Sequence, residues 1–352
     1  MAADSIVISH ADLAAFLATT FEKLDVPADH AKLVADSLVS ANLRGVDSHG
    51  VQLAVAYAAQ IRKGYVHPRA RGHVVGASGA CLVYDGEHGF GQVIADLCAE
   101  HAIRLARTEG GLGMVVARHS SHYGASAWWA QKIARAGMLG FASCSATALV
   151  AAWQGRDRIL GTNPICMAVP GPDTFLLDMA TTTVALNKIH KLRFTGETTI
   201  PAGWALDEEG RPTTDAAAAV KGLPMPLGGY KGSGLAVMVE ILCSVLSGGA
   251  MMTQMGALWD STGPMDASQY FLAVDVARFL PLEQFVERMQ FIRKTVKESR
   301  PAVDYDEVLI AGDPEWRSEE IRRREGIPIP GGIWKALVDL GRSAGVEAPA
   351  VG

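Results

Sequence analysis

Two short runs carry residue types that can exchange protons and hold an acid: Asp47-Ser48-His49-Gly50 and Arg118-His119-Ser120-Ser121-His122-Tyr123-Gly124-Ala125. Histidine, with an ordinary pKa of ~6.5, can give or take a proton near neutrality. A hydroxyl beside a helix start favours a carboxylate ligand. Two histidines, each next to hydroxyls and a glycine, therefore read as the halves of one site. Local structure offers a competing account: Asp47 or Ser48 would cap a following helix, and His122 could be a turn residue. Asp47-x-His49 and His119-x-x-His122 also contain metal-ligand types, so a metal-dependent hydrolase is a rival of another class. Their spacing is loose and HExxH is absent.

The elements that must position these residues follow from periodicity. Gly113 to Ala117 reads as a short buried strand and Ala125 to Ala136 as a helix, placing His122 where one gives way to the other. Such strand ends commonly face ligand crevices in α/β proteins. Upstream, Ser9 and Asp12 mark a helix start, with Leu13, Phe16, Leu17 and Phe21 on one face. A second helix runs from near Pro27 to Asn42, and a third follows Gly50 to about Ile61. Val83–Gly86 reads as a strand end and turn, and further strands are expected at Leu139–Ser143, Ile165–Val169, Phe175–Met179 and Tyr270–Val274. Helices are expected at Val93–Arg107, Leu235–Leu246 and Leu282–Lys297, the last amphipathic with Phe285, Met289, Ile292 and Val296 on one side. Pro201–Thr214 reads as a surface loop, Glu315–Glu325 as a solvated helix, and the tail after Ser343 as disordered.

No GxGxxG follows a strand, so no Rossmann fingerprint is present, and Gly229-Tyr230-Lys231-Gly232-Ser233-Gly234 does not satisfy a P-loop. That glycine run is either a phosphate cradle or a flexible entry to a buried helix. The 352 residues suffice for two or three lobes. With 49% apolar and 20% charged residues, a net charge of -5 and no long basic run, neither nucleic acid nor a membrane surface is favoured as partner. No apolar run reaches spanning length and the N-terminus lacks a secretory pattern, so a cytoplasmic protein is expected. The five scattered cysteines fit reduced, mostly buried thiols.

Taken in order, Arg44 to Val51, His122-Tyr123-Gly124, Gly161-Thr162-Asn163-Pro164, Asp178-Met179-Ala180-Thr181, Gly203-Trp204-Ala205 with Pro212 to Asp215, and Gly229 to Leu235 resemble the type 2 malate/L-lactate dehydrogenase family. Gly312-Asp313-Pro314-Glu315 and Gly326-Ile327-Pro328 extend the resemblance, which covers nearly the whole chain. The resemblance implies a homodimeric, NAD- or NADP-dependent oxidoreductase acting on a small-molecule 2-hydroxy or 2-oxo acid, or on a cyclic ketimine. Its implied fold is α/β, with a non-Rossmann mixed-sheet dinucleotide-binding lobe (about 76–314) and a helical lobe built from N- and C-terminal segments (about 1–75 with 315–352). His122 matches the family's acid/base histidine, and Ser48 and His49 a substrate-side pair. Asp178, Met179, Ala180 and Thr181 match a cofactor-binding strand end, with Tyr230-Lys231 and Ala311-Gly312-Asp313 as further cofactor contacts.

One departure bears on the substrate. The family reads Ser-His-Gly-Val-x-Arg, whereas this chain has Leu53 at the arginine. Leucine cannot replace a guanidinium that grips a carboxylate. Arg44 or Arg118 would then have to serve, or the substrate is bulkier than an ordinary small oxo acid; decay to a catalytically silent dinucleotide-binding protein is a further reading. Tyr57, one turn past Leu53, would line the same pocket. Lys188, His190, Lys191 and Arg193, shortly after Asp178, would favour a 2′-phosphate and hence NADP(H), unless they form a solvated loop.

Overall fold

The computed structural model describes residues 5–185, 188–189, 198–259 and 262–350. Strand β1 (Ser5–Ile8) leads into helix α1 (His10–Glu22), whose start is capped by the Ser9 hydroxyl accepting from the Ala11 and Asp12 amides. The expected inward face is buried: Leu13, Phe16, Leu17 and Phe21 are at most 5% exposed. Helix α2 (Ala28–Leu43) follows, then a 3₁₀ turn at Asp47–His49 and helix α3 (Leu53–Arg62). Neither Asp47 nor Ser48 caps α3, contrary to the local reading. Gln52 occupies that position without a side-chain bond, because the intervening turn carries Asp47 and Ser48 away from the helix end.

A seven-stranded sheet forms the second layer. It comprises β2 (His73–Ser78), β3 (Cys81–Asp85), β4 (Leu112–Ser120), β5 (Met138–Cys144), β6 (Ile165–Ala168), β7 (Leu176–Met179) and a long later strand, Ala267–Asp275. Helix α4 (Gly91–Thr108) crosses between β3 and β4, the sheet's single parallel pair. Helix α5 (Ser126–Arg135) joins β4 to β5. The helices lie very close to the strands. A Cβ at Gly113 would stand 2.0 Å from the Ala102 carbonyl oxygen, and one at Gly140 2.3 Å from that of Ala130. Only glycine permits such an approach.

Residues 201–214, expected to be a loop, contribute β8 (Ala205–Leu206) and β9 (Pro212–Thr213). With helix α6 (Ala216–Lys221) and β10 (Leu223–Pro224) they build a small three-stranded sheet of order β10-β8-β9. The apolar helix starts earlier than its hydrophobic run suggests: α7 (Tyr230–Glu240) begins right after Gly229, whose φ of 67° turns the chain, and passes into a π-helical turn at Ile241–Val245. Strand β11 (Ala267–Asp275) then inserts between β4 and β5, antiparallel to both, giving the order β2-β3-β4-β11-β5-β6-β7. A sheet of one parallel and five antiparallel pairs is not a doubly wound dinucleotide fold.

Helix α8 (Leu282–Lys297) lies on the outside: none of its residues is buried, and Ile292 is 48% exposed. Helix α9 (Asp313–Glu325), β12 (Ile327–Pro330) and helix α10 (Gly331–Ser343) then return to the N-terminal segment. β12 pairs antiparallel with β1, setting Ile329 against Ile6 and Ile327 against Ile8. Trp334, Leu337 and Leu340 enter the core of α1 and α2, where the Phe16 and Trp334 rings are 6.2 Å apart. The N- and C-terminal segments thus share one hydrophobic core. Val346 and Ala348 of the tail also pack against it, because the chain beyond α10 still has apolar surface to cover. Among the described residues no helix is long and apolar enough to cross a membrane.

Candidate active site

The sheet and the helical segment meet at a cavity of about 510 Å³, within the usual range for small-ligand sites. Its walls come from the end of α2, the 3₁₀ turn, the β4–α5 junction, the ends of β5 and β7, and residues 309–315. His49 and His122 both stand on it. Their rings are 5.8 Å apart and nearly parallel, at 21°. Folding therefore unites the two histidine runs that are about seventy positions apart in sequence.

Close backbone packing sets His122. A Cβ at Gly91, the first residue of α4, would lie 2.2 Å from the Ser121 carbonyl oxygen and 2.4 Å from that of His122. Gln269 of β11, fully buried, donates to the Ser120 hydroxyl at 2.8 Å and towards the Gly91 and Ser121 carbonyls. The His122 Nδ1 points inward. It accepts from the Gly124 amide at 3.2 Å and lies 2.8 Å from the Tyr57 hydroxyl, which itself accepts from Gln92 Nε2 at 2.9 Å. Nε2 is left for the cavity.

Asn42 shapes the other half. Its side chain donates to Asp47 and accepts from the Val51 amide, both at 2.7 Å, and leaves room only for glycine at position 50. Arg322 of α9 grips the Asp47 carboxylate at 2.6 and 3.2 Å. Helix α9, expected to be merely solvated, thus clamps the turn that bears Ser48 and His49. Ser48 Oγ sits 2.9 Å from His49 Nδ1, again freeing Nε2.

Burial changes the chemistry that free histidine would offer. It lowers the pKa of His49, and burial together with the neighbouring His49 ring pushes His122 down to about 3. Both rings are neutral at pH 7, which corrects the expectation that His122 would have both protonation states at hand there. Burial raises the Tyr57 hydroxyl, which stays protonated. Asp178 accepts from the Ala127 amide at 2.8 Å, at the positive end of α5. Enclosure raises its carboxyl to about 6 against the pull of that amide, while one flank stays wet in the cavity. Cys144, on the same wall, is pushed up to about 12 by burial and is no nucleophile.

Arg44, at the end of α2, is the wall's cation. It is 5% exposed, its Nε and Nη1 have no hydrogen-bond partner, and Glu319 stands 3.8 Å off. A buried guanidinium left in this state is costly unless an anion completes it. Arg118 is committed elsewhere, to Asp85 at 3.2 Å.

The remaining expectations divide. Ser48, Asp178, Ala180 and Gly312 stand on the cavity wall. Leu53 does not: it is 5% exposed, inside the core of the helical segment, and Tyr57 reaches the site only through His122. Met179 is half-buried off the wall, and Thr181 is buried with its hydroxyl on the Thr162 carbonyl. Tyr230 and Lys231 are exposed on the first turn of α7, away from the cavity, because the glycine run turns outward there. Asp313 faces inward, held by Lys297 at 2.9 Å and Arg293 at 2.7 Å, so its charge is spent within the protein. Lys188 is exposed; His190, Lys191 and Arg193 lie outside the described residues.

Sequence reasoning missed Gln92, Ser37 and Ser40 of α2, and Leu309 and Ile310, whereas Ala311 stands on the wall as the resemblance implied. The serines carried a faint signal, as hydroxyls seven and four residues before the buried arginine that ends their helix. Among the described residues no group of three or more His, Cys, Asp or Glu could hold a metal ion.

Comparison with known proteins gives a family, two relatives and a solved structure. The family described as malate/L-lactate dehydrogenase matches residues 8–338. A malate dehydrogenase of Pyrococcus horikoshii is 38% identical over 346 residues, covering 95% of this chain and 94% of that one. An L-sulfolactate dehydrogenase of Methanocaldococcus jannaschii is 33% identical over 328 residues (93% and 94%). The solved sulfolactate dehydrogenase of that organism superposes with a TM-score of 0.92 at 30% identity, over 97% of this chain and 98% of that one.

Proposed function

The chain belongs to the malate/L-lactate dehydrogenase family and is an oxidoreductase, and on that premise we propose that it interconverts a 2-hydroxy acid and its 2-oxo acid at the His49–His122 cavity. The observation that carries this reading is the pairing of two neutral imidazoles with one buried, unsatisfied guanidinium on a common wall. Membership of a dehydrogenase family implies a nicotinamide cofactor. The donor set suits one: the Ser37, Ser40 and Thr162 hydroxyls can hold phosphate and ribosyl oxygens, and Trp128 offers an aromatic wall.

Arg44 holds the substrate carboxylate, the part that relatives of this chain assign by resemblance to the residue at Leu53. Bound nicotinamide gives or takes the hydride. His122 exchanges the accompanying proton with the substrate oxygen through Nε2, and His49 with Ser48 orients that oxygen. A carboxylate drawn in beside the imidazoles favours their charged form, so binding an oxo acid lifts His122 towards the protonation it needs as an acid. The Asp178 carboxylate opposes a 2′-phosphate beside it, and specificity constants for NAD(H) and NADP(H) test that preference.

The chain works as a homodimer. The stripe Val237, Met238, Ile241, Val245 and Leu246 is 40–54% exposed along one side of α7 and its π turn, while Ala236, Val239 and Cys243 fill the core from the other side. A helix apolar all round needs cover on both sides.

Following nicotinamide absorbance against a panel of 2-hydroxy and 2-oxo acids tests the activity. His122→Asn should lower kcat by ~10²–10⁴-fold and spare cofactor affinity. Wild-type turnover retained in the folded variant removes His122 from the reaction.

A further inference from the structure

A histidine that must both take a proton from a hydroxyl and return one to a carbonyl needs its cavity-side nitrogen bare in one case and protonated in the other. We propose that Gln92 and Tyr57 form a reversible hydrogen-bond chain that sets which nitrogen of His122 carries the proton; this rests on the reading of His122 as the proton-exchanging group. Both residues are sealed from solvent, Gln92 at 0% and Tyr57 at 2% exposure, and neither lines the cavity. They are positioning residues.

In the arrangement seen, every donor points towards the ring. Gln92 Nε2 donates to the Tyr57 hydroxyl at 2.9 Å, the Gly124 amide donates to His122 Nδ1 at 3.2 Å, and the Tyr57 O–H completes the chain to Nδ1 at 2.8 Å. With Nδ1 accepting, the proton of neutral His122 is on Nε2, facing the cavity. That tautomer donates a hydrogen bond to a carbonyl oxygen but cannot accept a hydroxyl proton.

Gln92 holds the means of reversal. Its Oε1 is buried with no partner, an unusual state for a fully enclosed amide oxygen. Turning the amide over brings Oε1 to Tyr57, whose O–H then donates to it. The phenol oxygen is now free to accept from His122 Nδ1–H, and Nε2 is bare. In oxidation the hydroxyl proton goes to this bare Nε2 as the C–H hydride leaves for the nicotinamide and the C=O bond forms; the ring becomes imidazolium. Reduction returns the Nε2 proton to the oxygen and leaves Nδ1–H in place. A tyrosine hydroxyl suits the middle position because it is both donor and acceptor. The Gly124 amide opposes the reversed form, so the donor-inward form is the resting one.

Other groups could also bias the ring: His49 stacked upon it, Asp178 and Cys144 on the same cavity, and the charges of Arg44 and Glu315. The test must therefore isolate the chain. Selective ¹⁵N labelling of histidine, with His122→Asn for assignment, reads the ring tautomer and its titration in the folded protein without substrate. Wild type should show Nε2–H. Gln92→Glu, as an anion that only accepts, should move the proton to Nδ1 and raise the His122 pKa. In Tyr57→Phe/Gln92→Glu the tautomer should revert, since the effect travels through the phenol. An Nδ1–H wild type, a Gln92→Glu ring like wild type, or a shift that survives Tyr57→Phe each overturns the proposal. Should Gln92→Glu fail to fold, Gln92→Leu takes its place, with kcat expected to fall at least ~10-fold in the oxidising direction at unchanged cofactor affinity. Wild-type kcat in Gln92→Leu also overturns it. Because the NMR readout needs no turnover, a failed substrate screen would count against the proposed reaction alone.

Discussion

Arg44 is the side chain whose surroundings most plainly call for a ligand. It gives up nearly all contact with water, yet two of its three nitrogens find no hydrogen-bond partner, and its counter-charge, Glu319, is 3.8 Å from one of them. Losing charge-assisted hydrogen bonds to a carboxylate costs ~1.5–3 kcal/mol, so Arg44→Ala should raise KM for the oxo acid by roughly 10- to 100-fold. Arg44→Lys should recover part of this, because it restores charge without the planar fork. Cofactor affinity should hold in both. If cofactor binding weakens and substrate KM does not, the guanidinium serves the cofactor's phosphates instead. Leu53 has the opposite character: it is a core residue here, and its contribution is packing behind the site.

At the level of elements, precision comes from backbones in contact. The first turn of α4 presses on the residues that bear His122, and only the missing Cβ of Gly91 lets it. Gly91→Ala would force that turn and the 121–122 backbone apart by about an ångström, carrying Gln92 with it. Turnover should then fall by ~10²-fold, the order expected for such a displacement, with a lower midpoint in urea. Retained activity would mean that α4 does not set the position of His122. The 3₁₀ turn is held differently, by Asn42 from before it in the chain and Arg322 from nearly three hundred residues later. Its geometry thus depends on α9 being docked.

Two expectations belong to the whole molecule. The exposed stripe on α7 should form the dimer contact, so Ile241→Glu should give monomers in light scattering without loss of helix content. A dimer unaffected by that change is built elsewhere. The second concerns acid. His49 and His122 have pKa values held below those of the unfolded chain, so their contribution is complete above ~6.5 and is lost as pH falls towards the folded value, about 3 for His122. Asp178, raised to about 6, has the reverse sign: its contribution is complete below the unfolded value, ~3.9, and is lost as pH rises through 6. The lowered carboxyls of Asp85, Asp313 and Glu307 side with the histidines. Unfolding free energy of the free protein should therefore decline from pH 7 to pH 4, and His122→Asn should flatten the decline. An identical slope in the variant would clear His122 of the effect.

Periodicity and motif order were enough to find the strand–helix junction at His122, the Ser9 cap, the mixed α/β class and the family, because these depend on neighbours within a few residues. The pairing of His49 with His122 was legible only as a resemblance between two runs. What the tertiary structure alone decided is everything that depends on the surroundings of a side chain. Asp47 looked like a cap and is a partner of Arg322; Asp313 looked like a cofactor contact and is neutralised by Lys297 and Arg293. Tyr230 and Lys231 turned outward with their glycine loop, and Arg44 was left buried and unsatisfied. Residue type states which bonds a group can make. Burial and the partners brought by distant segments state which it does make, and the neutral, inward-bonded His122 follows from those.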